Sequence, residues 1–121
     1  MSTLNAILDG KLQGDVQLAD NSVHIERLVP RMVVFVVRAG NLHAALFNKP
    51  LVITSGNDGE HAAGSAHYRN EAVDARSRDI TPAQAMLFTM VLVDLGLEEG
   101  VAVFDERANP NKRHWHCEVA A

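Results

Sequence analysis

The chain has a single cysteine, Cys117, so no intramolecular disulfide can staple it, and one thiol argues neither for nor against an oxidising compartment. It also lacks an excess of positive charge: eleven Lys+Arg against fifteen Asp+Glu leave a net charge of -4 and a pI near 5.8. Without a basic field nothing holds a nucleic-acid backbone, and no nucleic-acid partner is expected. Long hydrophobic runs are missing too. The longest apolar-rich stretch, Met32 to Val37, ends at Arg38 and falls far short of the roughly 20 residues that cross a bilayer, so no membrane span is expected. The N-terminus, MSTLNAILDGKLQGD, carries neither a basic leader nor an unbroken apolar stretch. It does not read as a signal peptide, so cytoplasmic synthesis is expected and export would need another route.

What is present suits one domain. A chain of 121 residues is too short for two cores and long enough to bury roughly two thirds of its unfolded surface. Hydrophobic residues at 47% and charged residues at 21% lie close to the globular average, which excludes disordered, collagenous and coiled-coil classes. No repeat, low-complexity tract or linker interrupts the sequence, so residues 1–121 read as a single domain. Within it residues 1–22, rich in Gly, Asp and Asn, form a poorly defined N-terminal segment. Leu12, Val16 and Leu18 alternate there, enough for a short strand or hairpin.

From Ile25 to Phe47 apolar residues recur at helical spacing (Leu28, Met32, Phe35, Val36, Leu42, Ala45, Leu46). The pattern predicts a helix from about Val29 to Asn48, with Pro30 in its first turn and a bend at Gly40. Lys49-Pro50 breaks it, and Leu51 to Thr54 is a β-branched run that predicts a buried strand, closed by the turn Ser55-Gly56-Asn57-Asp58-Gly59. Residues 60–70 have no clean period and read as a loop; Glu71 to Arg76 alternates like a strand. Thr81 then offers an N-cap and Pro82 an N1 proline for a helix reaching about Leu95 and closed by Gly96. Val101 to Phe104 and His114 to Val119 predict two more strands around a polar loop. This order implies an α+β domain with helices packed on a small antiparallel or mixed sheet. His24 and His43 read as ordinary helix-face residues.

The chemistry lies in the histidines, of which there are six. On the final strand successive side chains alternate faces, so His114 and His116 share one face while Trp115 and Cys117 turn to the core. Cys117 is thus read as a small buried hydrophobe rather than a ligand. A second cluster surrounds His67 and Asp74. Their seven-residue separation does not fit adjacent turns of one helix, but works if a loop ends near His67 and a strand returns Asp74 beside it. Flanked by Ala72, Val73 and Ala75, Asp74 needs a cationic or metal partner, because burying an unpaired carboxylate is costly. Two neutral imidazoles and one carboxylate make an open zinc site, whose fourth position takes a water with its pKa lowered toward about 7.

The string His61…Ser65-Ala66-His67-Tyr68…Ala72-Val73-Asp74, with the later His114-Trp115-His116-Cys117-Glu118-Val119, resembles the zinc D-alanyl-D-alanine carboxypeptidase and hedgehog signalling-domain superfamily. The resemblance runs from about Leu51 to the C-terminus and implies a hedgehog/DD-peptidase-like fold. It implies that His67, Asp74 and His116 hold Zn2+. His114, beside the metal, would assist proton transfer or stabilise the oxyanion. His61 matches a position that is also His in hedgehog domains and faces the zinc cleft there; it is a candidate substrate-binding residue.

The departures are equally informative. Many of the family's peptidases carry an acidic general base three residues before the last ligand, where this chain has Arg113. The base role then passes to His114, with Glu106 in reserve and Asp105 as the other carboxylate of that loop, since each offers a group of usable pKa near the metal. The clamping Arg that some carboxypeptidases carry after Ser-Gly is absent from Ser55-Gly56-Asn57-Asp58, and Arg69 is the candidate to substitute. Asp58 and Glu60 are similar to part of the calcium-binding segment of animal hedgehog domains, but the remaining acidic ligands are not found upstream.

The resemblance implies a zinc metallopeptidase acting on peptidoglycan peptides, of D,D- or L,D-type, as in a phage or prophage lysin or a bacterial cell-wall enzyme. Such a protein would be delivered by phage or released to the wall. The alternative it implies is a non-catalytic, zinc-stabilised, hedgehog-like protein-binding module.

Overall fold

The computed structural model describes residues 15–20, 22–25, 27–56, 64–108 and 113–120. In chain order these form β1 (Val16–Leu18), α1 (Pro30–Phe47), β2 (Leu51–Ser55), a 3-10 turn (Ala66–Arg69), β3 (Ala72–Arg76), α2 (Pro82–Glu99), β4 (Val101–Asp105) and β5 (His114–Val119). The strands make one sheet in the order β1-β2-β3-β5-β4. β1 and β2 run parallel and every other neighbouring pair antiparallel. The domain is therefore α+β, two helices on a mixed five-stranded sheet. Crossovers through α1 and α2 leave β1 parallel to β2 and β3 parallel to β4, with β5 inserted between the latter two.

The helices share one hydrophobic core with one face of the sheet. Met32, Phe35 and Val36 of α1 and Phe88, Leu92 and Leu95 of α2 pack with Val73 and Ala75 of β3 and Trp115 and Cys117 of β5. Trp115 is fully buried; its ring meets Phe88 edge-on with centroids 5.3 Å apart. Its indole N–H donates to Thr89 Oγ1 at 2.8 Å, which supplies the partner a buried indole needs.

Both helices begin as their sequences predict and differ in detail beyond. Thr81 and Gln84 form a reciprocal capping box with Pro82 in the first turn. The helix does not stop at Leu95, however: it continues to Glu99 and closes at Gly100, whose φ of 71° donates its N–H to Gly96 O. Gly96 is a packing glycine inside the helix, because a Cβ there would strike the carbonyl oxygen of Val101 as β4 begins. Gly40 is likewise a packing glycine inside α1; a Cβ there would sit 2.9 Å from the Asp15 carbonyl oxygen where the chain enters β1.

The buried stripe of α1 also turns away from the predicted one. It passes through Met32, Phe35, Val36, Ala39, Gly40 and His43, leaving Leu42 and Leu46 exposed. His43 is thus a core residue: it donates Nδ1–H to Lys49 O at 2.7 Å and stands edge-on to Phe47 and Phe88. Burial pushes its pKa down. His24, exposed, lies on no helix but in the irregular segment before α1. Among the described residues no helix is long and apolar enough to cross a membrane.

Candidate metal centre

The strand alternation that sends Trp115 and Cys117 into the core turns His114, His116 and Glu118 to the opposite face of the sheet. Asp74 is the direct cross-strand partner of His116, and Arg76 that of His114. The third participant comes from the 3-10 turn. Ser65 caps that turn by accepting the N–H of His67 at 3.2 Å, and Asn70, at φ 60°, ends it. The chain is thereby folded back so that His67, 2% exposed, lies against β3.

The seven-residue step is bridged as the sequence pattern requires, by a turn ending near His67 and a strand carrying Asp74. His67 donates Nδ1–H to Gly56 O at 2.8 Å, which leaves Nε2 toward Asp74 Oδ2 at 3.4 Å. His116 Nδ1 donates to Asp74 Oδ1 at 2.9 Å, while its Nε2 donates to Glu118 Oε1 at 3.0 Å. The His67 and His116 ring centroids are 5.0 Å apart. One ligand atom from each of His67, Asp74 and His116 falls within 4.8 Å of the others, so the three can hold a metal ion together.

Charge is arranged to match. Burial by itself would raise the pKa of Asp74, but hydrogen bonds from His116 and His67 outweigh it and hold the carboxyl well below its usual range. Asp74 therefore stays ionised although it is only 8% exposed. Arg76, two residues along the same strand, pairs with Asp79 at 2.9 Å. The Asp74 hydrogen bond raises the pKa of His116 against the effect of burial, and Glu118 adds to the rise. An ionised carboxylate facing imidazole nitrogens, each ring anchored through its other nitrogen, is a donor set suited to a divalent transition metal.

A second group adjoins the first through Asp74: one ligand atom each from Asp74, Glu106 and His114 also lie within 4.8 Å of one another. His114 donates Nε2–H to Glu106 Oε1 at 2.7 Å and stands 3.8 Å from Asp74 Oδ1. Of the two loop carboxylates, Glu106 is the one at this site. Asp105 turns to Arg107, at 2.8 Å, and to Thr89. Arg113 instead holds the main chain, its carbonyl accepting from Ser77 N at 3.0 Å and Ser77 Oγ at 2.6 Å.

Arg69 is exposed and bonded to Glu71 Oε1 at 2.6 Å and Gly64 O at 2.7 Å. His61, Asp58 and Glu60 lie outside the described residues. Cys117 is buried on the core face, and burial pushes its thiol pKa up. Sequence reasoning passed over Glu118, although the alternation that aligned His114 with His116 also places Glu118 on their face. Phe104, across from His116 on β4, has its ring centroid 5.9 Å from that imidazole and forms part of the wall. Neither protein-family models nor curated proteins match this chain.

Proposed function

We propose that this protein is a zinc-dependent peptidase that hydrolyses peptidoglycan peptide bonds, of the D-Ala-D-Ala carboxypeptidase or endopeptidase type, on a hedgehog/DD-peptidase-like fold. The observation that carries this reading is the meeting of His67, Asp74 and His116 beside a bonded Glu106–His114 pair. The α+β architecture is compatible with it. His67, Asp74 and His116 would hold zinc, since two imidazoles and a carboxylate leave an open position. When bound, zinc supplies Lewis-acid polarisation of a carbonyl and lowers the pKa of water.

The protein's own groups supply the remainder. Glu106 can take a proton from the attacking water and pass it to the leaving amine, while the His114 Nε2–H, joined to it at 2.7 Å, orients the carboxylate. As an imidazolium, His114 also offers charge to a developing oxyanion. Arg69, the candidate clamp for a substrate carboxylate, has its Nε committed to Glu71.

The test is hydrolysis of purified peptidoglycan, and of short D-Ala-D-Ala and L-Ala-D-Glu peptides, by zinc-loaded wild type, His116→Ala and His114→Ala. Cleavage by wild type alone, with zinc retained by His114→Ala and lost by His116→Ala, is the expected result. Stoichiometric zinc without cleavage of any substrate would overturn the enzyme reading.

The second reading is the binding module with zinc held structurally. Its support is the 3.8 Å between His114 Nε2 and Asp74 Oδ1: if His114 becomes a fourth protein ligand, the site closes.

A further inference from the structure

His67 and His116 are each anchored through the nitrogen that faces away from Asp74, but the anchors differ. His67 donates to a neutral main-chain carbonyl, Gly56 O. His116 donates to a carboxylate, Glu118. Both ring nitrogens of His116 face carboxylates, Nδ1 facing Asp74 and Nε2 facing Glu118; a metal at Nδ1 takes the place of the hydrogen there, and because a carboxylate can only accept, the ring's remaining hydrogen stays on Nε2 beside Glu118. Glu118 is held to this task by its setting: its cross-strand neighbours are Ala72 on β3 and Ala102 on β4, whose methyl groups offer no competing polar partner. Its side chain accordingly runs along its own strand to His116, two residues away.

We infer that Glu118 is a positioning residue of the metal centre, fixing His116 in the Nε2–H tautomer and the ring orientation that aim Nδ1 at the space shared with Asp74 and His67. This rests on the reading of those three residues as metal ligands. A charged acceptor makes the ring a stronger donor than a neutral carbonyl does, so His116 is the more strongly donating of the two imidazoles. The chemistry at issue is retention of a divalent transition metal such as zinc, not a step on substrate.

The experiment measures zinc affinity by competition with a chromophoric chelator for wild type, Glu118→Gln and Glu118→Ala. Far-UV circular dichroism and urea unfolding of each metal-stripped protein accompany it. Loss of this anchor in Glu118→Ala is expected to weaken zinc binding about 10–100-fold. Glu118→Gln should stay closer to wild type, because its amide oxygen still accepts from Nε2. The absorption of cobalt-substituted Glu118→Ala should shift, while the folding of both stripped variants matches wild type.

An Ala variant with affinity within about twofold of a zinc-binding wild type, against the usual 10–100-fold loss, overturns this inference alone. A wild type that binds no zinc overturns it together with the metal-centre reading. A readout independent of variant folding is the long-range proton–nitrogen spectrum of zinc-loaded wild type. Nδ1 metallation of His116 supports the inference, and Nε2 metallation overturns it.

Discussion

Glu106 and His114 are joined twice: the Glu106 main-chain N–H donates to His114 O at 3.0 Å, and His114 Nε2–H donates to Glu106 Oε1 at 2.7 Å. The main-chain bond fixes where the carboxylate leaves the strand, and the side-chain bond fixes where it points. Glu106 therefore reaches the site face although its neighbour Asp105 turns to Arg107.

In the proposed peptidase this pair handles protons and leaves metal retention to other residues. Glu106→Gln should retain zinc and lose about 10²–10⁴-fold in kcat, the usual contribution of a positioned general base. Steady-state kinetics beside metal analysis checks this; unchanged kcat with zinc bound would remove Glu106 from the mechanism.

Asp74 links both groups, so Asp74→Asn should abolish stoichiometric zinc binding. Its amide is a far weaker ligand than the carboxylate it replaces. In wild type, zinc at 100 times its Kd should add about 2.7 kcal/mol of stability, which a chelator removes. Urea unfolding with and without chelator reads both effects. Equal curves for wild type in the two conditions would argue against the metal centre.

His43 gives a pH dependence separate from the site. Its folded pKa lies below the ordinary value because of burial. The unfolded chain thus binds the extra proton first, and stability rises with pH through this window. The contribution of neutral His43 is present above about pH 6.5 and is lost as pH falls below it toward the folded value. His43→Gln removes the titration while keeping a donor for Lys49 O. The stability difference between wild type and variant, measured by urea in chelator, should shrink from neutral pH to pH 5; a constant difference would count against this account.

Two glycines of one helix should respond differently to alanine. Gly100→Ala meets a positive φ and should cost about 1–2 kcal/mol. Gly96→Ala drives a methyl against the Val101 carbonyl, forces β4 away from α2, and should cost about 1–3 kcal/mol by overpacking. The spectroscopic signature separates them: only Gly96→Ala should perturb the near-UV signal of buried Trp115, whose strand pairs with β4.

Local chemistry made much of this legible in the sequence. The Thr81-Pro82 start of α2, the strand around Asp74 and the two faces of residues 114–117 follow from capping, proline geometry and side-chain alternation. Each is decided within a few residues. Parts of the candidate site were legible on the same basis, because His116 and Asp74 sit in segments whose period is unambiguous. Where packing between distant segments decides, the reading went astray. Glycine marks a helix end or bend by its conformational freedom, but Gly96, read as an end, and Gly40, read as a bend, are there because another chain segment passes too close for a methyl group.

By itself, then, the sequence determined an α+β architecture, most of its elements and the residue types able to bind a metal. Only the tertiary structure decided that His43 belongs to the core, that Arg76 pairs with Asp79, and that Glu106 rather than Asp105 meets His114. It likewise decided that Glu118 and the Gly56 carbonyl hold the two imidazoles. These outcomes depend on strand register and on how the turn before β3 folds back. Both are set by contacts between residues far apart in the chain, which local propensity does not encode.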